Sequence, residues 1–283
     1  MDVNGRSLAD DTALHIAKEK STVRLLIKAG AEVNLQNNEG CTPLRACLDN
    51  LYFLKKKPSS TDGSKWSTLH GLSNRSLLKI ITLLLDAGAS PNIQTKFGLN
   101  SLHMLIDRGG ISGSNLEAGL IDEFMSLFLQ FKVDVNIPDF KGCTPLHYAV
   151  KEPHAMNAWK LLFSGALVDA RDYRGMTPLL HMFSSSNTEM IKLLPQGNAS
   201  VNMQDVDGRT TLSRAVEVGN KLVVQLLFQE SGTHVNLKDK NGVTPLHLAD
   251  AFKHLQPTEM LIRASADLNA RDFWNATPLH YAA

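Results

Sequence analysis

An all-α array of stacked helix pairs is expected for this 283-residue chain, on three observations. A short motif recurs eight times, mostly 33 residues apart. Apolar residues follow each copy at helical spacing. A glycine-centred turn precedes nearly every copy. A fixed period of that size specifies a one-dimensional stack in which each unit touches only its neighbours. The stack is expected to form a single domain over residues 1–283.

The copies are Thr12-Ala-Leu-His15, Thr42-Pro-Leu-Arg45, Asn100-Ser-Leu-His103, Thr144-Pro-Leu-His147, Thr177-Pro-Leu-Leu180, Thr210-Thr-Leu-Ser213, Thr244-Pro-Leu-His247 and Thr277-Pro-Leu-His280. Their starts are separated by 30, 58, 44, 33, 33, 34 and 33 residues. One unit, Thr144 to Gly175, shows the plan. Thr144 suits a helix N-cap, because its hydroxyl can satisfy an orphan backbone N–H of the first turn. Pro145 takes the first helical position, where its missing N–H costs nothing. Leu146, Ala149 and Val150 then form a buried stripe. Glu152-Pro153-His154 breaks the helix, and a second follows through Ala158–Phe163. Gly165 supplies a left-handed cap. Val168 to Gly175 is extended and closes in a tight turn.

The other units repeat this plan. Turn glycines recur at Gly40, Gly98, Gly142, Gly175, Gly208 and Gly242, with Asn275 in the last copy, and helix caps at Gly30, Gly88, Gly165, Gly197 and Gly232. Pro195 is expected to end its helix at about Leu194. The gaps of 58 and 44 leave about 25 and 11 extra residues, placed at about 50–74 and 108–118. Both insertions are polar and Gly/Ser-rich, hence expected to be mobile. The good helix start at Thr42 favours an insertion, but Ser67-Thr68-Leu69-His70, 33 residues before Asn100, offers a second register. The last unit stops inside its first helix, as in a fragment of a longer array.

The combination Thr-Pro-Leu-His-x-Ala, paired helices, Ala-Gly-Ala and Val-Asn-x-x-Asp-x-x-Gly resembles the ankyrin repeat over essentially residues 11–283. The resemblance implies a solenoid of antiparallel helix pairs with β-hairpin-like turns projecting as fingers along one edge. It implies that the motif histidines hydrogen-bond locally. It also makes Asn34, Asn136, Asn202 and Asn236 candidates for hydroxylation, although bonding to turn backbone explains them sufficiently.

Composition excludes several classes. A net charge of +1 provides no field for nucleic acid or an anionic membrane. Three cysteines give no disulfide framework, and no Cys/His spacing resembles a zinc site. The polar start has no signal peptide, and no apolar run spans a bilayer. A monomeric cytoplasmic or nuclear protein is expected. One histidine per unit at one position (His15, His103, His147, His247, His280) is a packing signature rather than a catalytic set. No phosphate loop or nucleophile elbow occurs. No enzyme, cofactor or metal site is therefore expected.

What varies over a constant scaffold is informative. The residues before each turn glycine are Asn38-Glu39, Lys96-Phe97, Phe140-Lys141, Tyr173-Arg174, Val206-Asp207, Lys240-Asn241 and Phe273-Trp274. Turn tips are normally polar, and rigid aromatics and Arg are the usual interface anchors. A protein-binding surface is therefore expected at Phe97, Phe140, Lys141, Tyr173, Arg174, Phe273 and Trp274. First-helix residues Lys151, Glu152, Glu217, Val218 and Phe252 are expected to join it. The competing expectation is that each ring folds back and merely covers the stack. A second functional reading is the recognition half of a larger effector, whose other domain would be a degradation adaptor, channel or enzyme.

Overall fold

The computed structural model describes residues 2–53, 74–109, 118–151, 155–230 and 232–283. Residues 54–73 and 110–117, most of the two insertion segments and with them the alternative register at Ser67–His70, lie outside the described residues, as does Glu152. The chain divides into two compact units, Met1–Phe140 and Lys141–Ala283. The described residues are helical or turn, with no strand.

The first unit contains α1 (Ala13–Ile16), α2 (Lys20–Lys28), α3 (Pro43–Phe53), α4 (Asn74–Asp86), α5 (Ser101–Gly109) and α6 (Ala118–Gln130). Helices pair in sequence order, α1 with α2, α3 with α4 and α5 with α6, and equivalent helices pack on one another. Leu14, Leu44 and Leu102 are the motif leucines, and all are buried. The outer helices that pack against them bury Leu77, Ile81, Leu84, Phe124 and Phe128. The apolar stripe repeats every helical turn, so each pair buries one face and leaves the other wet.

The second unit contains α7 (Pro145–Ala149), α8 (Met156–Phe163), α9 (Thr188–Gln196), α10 (Thr211–Glu217), α11 (Lys221–Leu227), α12 (Pro245–Ala251), α13 (Leu255–Arg263) and α14 (Pro278–Ala282). Three expectations are corrected here. The first helix of the Thr177 copy is only a 3₁₀ turn, Leu180–Met182. Leu180 stands where six of the other seven copies place a His or Ser, but Arg45 stands there too and α3 forms, so the Ser184-Ser185-Ser186-Asn187 run, poor in helix propensity, is the feature particular to this copy. Pro195 does not stop α9, which runs on to Gln196. In a last turn only one amide bond is lost, and Gly197 N–H still reaches the Leu193 carbonyl at 2.9 Å. Gly197 is not left-handed (φ −83°), and Asn198 takes that conformation instead at φ +68°. The one-residue delay follows from the helix running past Leu194.

The turns obey the expected chemistry. All six predicted turn glycines have positive φ, and Asn275 joins them at +65°. Neighbouring fingers are tied by a recurring main-chain bond, beside side-chain bonds such as Gln204 Nε2 to the Lys238 carbonyl at 2.9 Å. The Tyr173 amide donates to the Lys141 carbonyl at 2.9 Å, Val206 to Arg174 at 3.0 Å, Lys240 to Asp207 at 3.0 Å and Phe273 to Asn241 at 3.0 Å. In the first unit, the Phe140 amide donates to Phe97 at 3.1 Å.

This tie explains which glycines are costly to change. A Cβ on Gly142 (φ +80°) would lie 2.7 Å from the Tyr173 nitrogen and 2.8 Å from its ring. A Cβ on Gly165 (φ +88°) would meet nothing within 4 Å. Gly165→Ala should cost about 1–2 kcal/mol, the left-handed penalty alone. Gly142→Ala should cost clearly more, because backbone must also move. Denaturant midpoints that rank the two variants equally would contradict the close approach.

Candidate functional site: the finger turns and their histidine clasps

Three fingers are fixed from below by a motif histidine, His15, His147 or His247. The Thr144 amide donates to His147 Nδ1 at 3.0 Å, and the Thr144 hydroxyl lies 3.0 Å from the same nitrogen. Since Nδ1 accepts, the bonding pattern assigns the ring proton to Nε2. Nε2–H then donates to the Met176 carbonyl of the next finger at 3.0 Å. His15 repeats this with Thr12 and the Cys41 carbonyl (3.1 and 2.9 Å), and His247 with Thr244 and the Ala276 carbonyl (3.2 and 3.1 Å). The histidines thus do more than close their own turn. Each joins one repeat to the next. Burial pushes the His147 pKa down to about 4, the Met176 hydrogen bond only partly offsetting it.

The turn acid is the second support. Asp172 Oδ1 accepts from the Arg174 and Met176 amides at 2.8 Å each. Its other oxygen reaches nine residues on, where His181 Nε2 lies 3.0 Å away. The same spacing pairs Asp205 with the Arg214 guanidinium and Asp272 with the Tyr281 hydroxyl, the latter at 2.7 Å. This Asp-to-plus-nine pairing was missed from sequence, although the spacing was present in three copies. The Val-Asn asparagines Asn34 and Asn202 bond backbone, as expected, and the partner is the helix end of the following repeat. Asn34 donates to the Gly88 carbonyl at 3.0 Å and accepts from Ser90 at 2.8 Å, and Asn202 treats Gly232 and His234 likewise at 2.7 and 2.9 Å.

On this support the fingertips stand out in solvent. The exposures are Phe97 66%, Phe140 66%, Tyr173 73%, Phe273 76% and Trp274 70%. The rings do not fold away, although the near edge of Phe140, Tyr173 and Phe273 rests on the preceding finger's glycine. Lys141 and Arg174 are exposed beside them. Along the first helices of the second unit, Lys151, Val218 and Phe252 are exposed. Glu217 is half-buried and already engaged, both its oxygens 2.9 Å from Arg209 Nη1. Phe252 stacks on His254 with ring centroids 6.2 Å apart.

The thiols Cys41, Cys47 and Cys143 are buried and outside any disulfide. Burial raises Cys41 to about 11 and Cys47 to about 12, so neither is poised as a nucleophile. Among the described residues no helix is long and apolar enough to cross a membrane.

The comparisons with known proteins agree with this geometry. An ankyrin-repeats model matches residues 68–172, 155–239 and 219–283, and an ankyrin-repeat model matches 10–38. The chain belongs to the ankyrin-repeat family. Such repeats generally mediate protein–protein interaction and are typically non-catalytic. The human transient receptor potential cation channel subfamily A member 1 is 28% identical over 287 residues, covering 99% of this chain and 20% of that protein. The B-cell lymphoma 3 protein homolog of Mus musculus is 30% identical over 279 residues, covering 96% and 48%. The nuclear factor NF-kappa-B p105 subunit of Gallus gallus is 28% identical over 179 residues, covering 58% and 17%. The chain therefore spans less than half the length of each of these relatives.

Proposed function

We propose that the chain is a non-catalytic, monomeric scaffold that binds a partner protein through its fingertips and the exposed ends of its first helices. The observation that supports this reading best is the exposure of large rings at turn tips, each 66–76%, two in the first unit and three in the second. Tip rings held by backbone ties lose little conformational freedom on binding, which is how a preformed surface gains affinity. Arg174 and Lys141 add charge beside the aromatics and favour a partner with carboxylates among its apolar anchors.

A second reading is that this scaffold is the recognition part of a larger effector. Its support is the small share of the relatives' length that the chain spans, 20% in the case of the human cation channel.

The test uses the full chain as bait, identification of the captured protein, and a direct affinity measurement with that protein. Tyr173→Ala should weaken it by about 2 kcal/mol, roughly thirty-fold. The variant's unfolding midpoint should barely move, since 73% of Tyr173 is already in water. Unchanged affinity together with a large loss of stability would make the ring a cover for the finger and reject the reading.

A further inference from the structure

In the second unit, three side chains of different chemistry converge where two fingers and a helical turn meet. Cys143 Sγ, an Asp172 carboxylate oxygen and a His181 ring nitrogen all lie within 4.8 Å of one another. Cys143 Sγ is 4.0 Å and His181 Nε2 3.0 Å from Asp172 Oδ2. Cys143 and Asp172 are buried, and the His181 side chain is 19% exposed. We propose that Cys143, Asp172 and His181 form a zinc-binding site, with water at the fourth position.

The donor set suits this ion. Zinc is borderline soft and takes thiolate, imidazole and carboxylate at about 2.0–2.3 Å in a tetrahedron, which puts ligand atoms about 3.3–3.6 Å apart. The two separations from Asp172 Oδ2, 3.0 and 4.0 Å, straddle that spacing, and the thiol and imidazole lie within 4.8 Å of each other, so closing the site draws Cys143 Sγ inward by about 1 Å. The carboxylate is already aimed. Its Oδ1 is fixed by the two turn amides at 2.8 Å, which leaves Oδ2 turned toward the other two groups. The His181 ring is braced edge-on against His147, with centroids 5.3 Å apart. Oriented ligands of this kind are what a metal site requires.

The comparison of repeats within the chain separates this cluster from ordinary finger bonding. The turn acid faces Arg214 in the Asp205 copy and Tyr281 in the Asp272 copy, and neither partner is a zinc donor of this kind. The position of Cys143 is held by Met176, Arg209, Val243 and Ala276 in later copies. Cys41 shares the thiol, but Thr95 and Met104 occupy the places of Asp172 and His181. Only around Cys143 do thiol, carboxylate and imidazole coincide among the described residues.

Binding needs no redox partner. The Cys143 thiol loses its proton to solvent, and the neutral His181 ring shifts its proton from Nε2 to Nδ1, freeing the Nε2 lone pair. Thiolate and carboxylate then balance the two charges of the ion. Burial lowers the His181 pKa, which keeps the ring neutral for this role. Lys151 and Arg174 bear on His181 with positive charge and oppose the ion.

The test titrates the metal-stripped full chain with Zn²⁺ alone, following heat and proton release, and with Co²⁺, following thiolate-to-cobalt charge-transfer absorption. One ion per chain should bind and release one proton, and the cobalt band should appear. Cys143→Ser should abolish the band, Cys41→Ser should leave it unchanged, and His181→Asn should weaken binding at least about ten-fold. His181→Asn, at a partly exposed position, keeps the test decisive if Cys143→Ser unfolds. No cobalt band in the parent chain, a band that survives Cys143→Ser, or full affinity in His181→Asn overturns the proposal.

Discussion

Phe124→Ala should lower the stability of the first unit by about 3–5 kcal/mol, the range for removing a fully buried ring. Phe124 has no exposed surface, and it lies in α6 among Leu120, Ile121, Met125 and Phe128, all buried. α6 packs against α5 and α4, so two helices would border the void. The loss combines the ring's transfer free energy with the cavity left when rigid helices cannot collapse into it. Phe163→Ala is the matched control, because that residue is 84% exposed, its ring stacked on Trp159. Its expected cost is under about 1 kcal/mol. Urea or guanidinium transitions read by circular dichroism measure both. Equal shifts for the two would mean that α6 does not face the core.

Acid should unfold the second unit through His147, and the direction follows from its bonding. Nδ1 accepts from Thr144 and Nε2–H donates to Met176, so a proton added at Nδ1 breaks the cap inside a dry site. The folded pKa is about 4 against 6.5 for the free side chain. A base held below its free pKa stabilises the fold fully above pH 6.5, and that stability is lost as pH falls toward 4. The difference amounts to about 3 kcal/mol for His147. Burial lowers His181 as well, which adds loss in the same direction, and His15 does the same in the first unit. Melting temperatures measured from pH 7 to pH 4 should fall steadily. His147→Gln should flatten much of that fall while lowering stability at pH 7. A parent profile flat across this range would rule out the neutral, doubly bonded ring.

The period made the array legible in sequence, because a repeat states the same packing problem many times. Positive φ at Gly142, Gly175 and Asn275 could be anticipated, since few residues tolerate that conformation. The exposed rings at the fingertips were anticipated on the ground that apolar groups at turn tips need a reason. What escaped the sequence was non-local. The His147 bond to Met176 joins residues 29 apart, and nothing in Thr-Pro-Leu-His announces its second partner. The Cys143 cluster was invisible to spacing rules because its ligands come from three successive segments, whereas zinc spacing rules describe close pairs along one strand of chain. The 3₁₀ turn at Leu180–Met182 was missed because the Thr-Pro-Leu start was intact and the four residues after Phe183 decided the outcome. The α9 end was misjudged because a proline near a C-terminus forfeits one bond, not a whole turn.

The amide-to-carbonyl ties between fingers have one consequence for how such a protein diversifies. They use main-chain atoms only, from Tyr173 to Lys141 through Phe273 to Asn241 in the second unit. The frame is therefore indifferent to which side chains occupy the tips, provided the following glycine keeps its left-handed geometry. Tip pairs as unlike as Tyr173-Arg174, Val206-Asp207 and Lys240-Asn241 already sit on the same ties. The fingers behave as interchangeable sockets. A pair transplanted from one finger to another should leave the main-chain ties in place, so the denaturant midpoint of the transplant should stay close to the parent's.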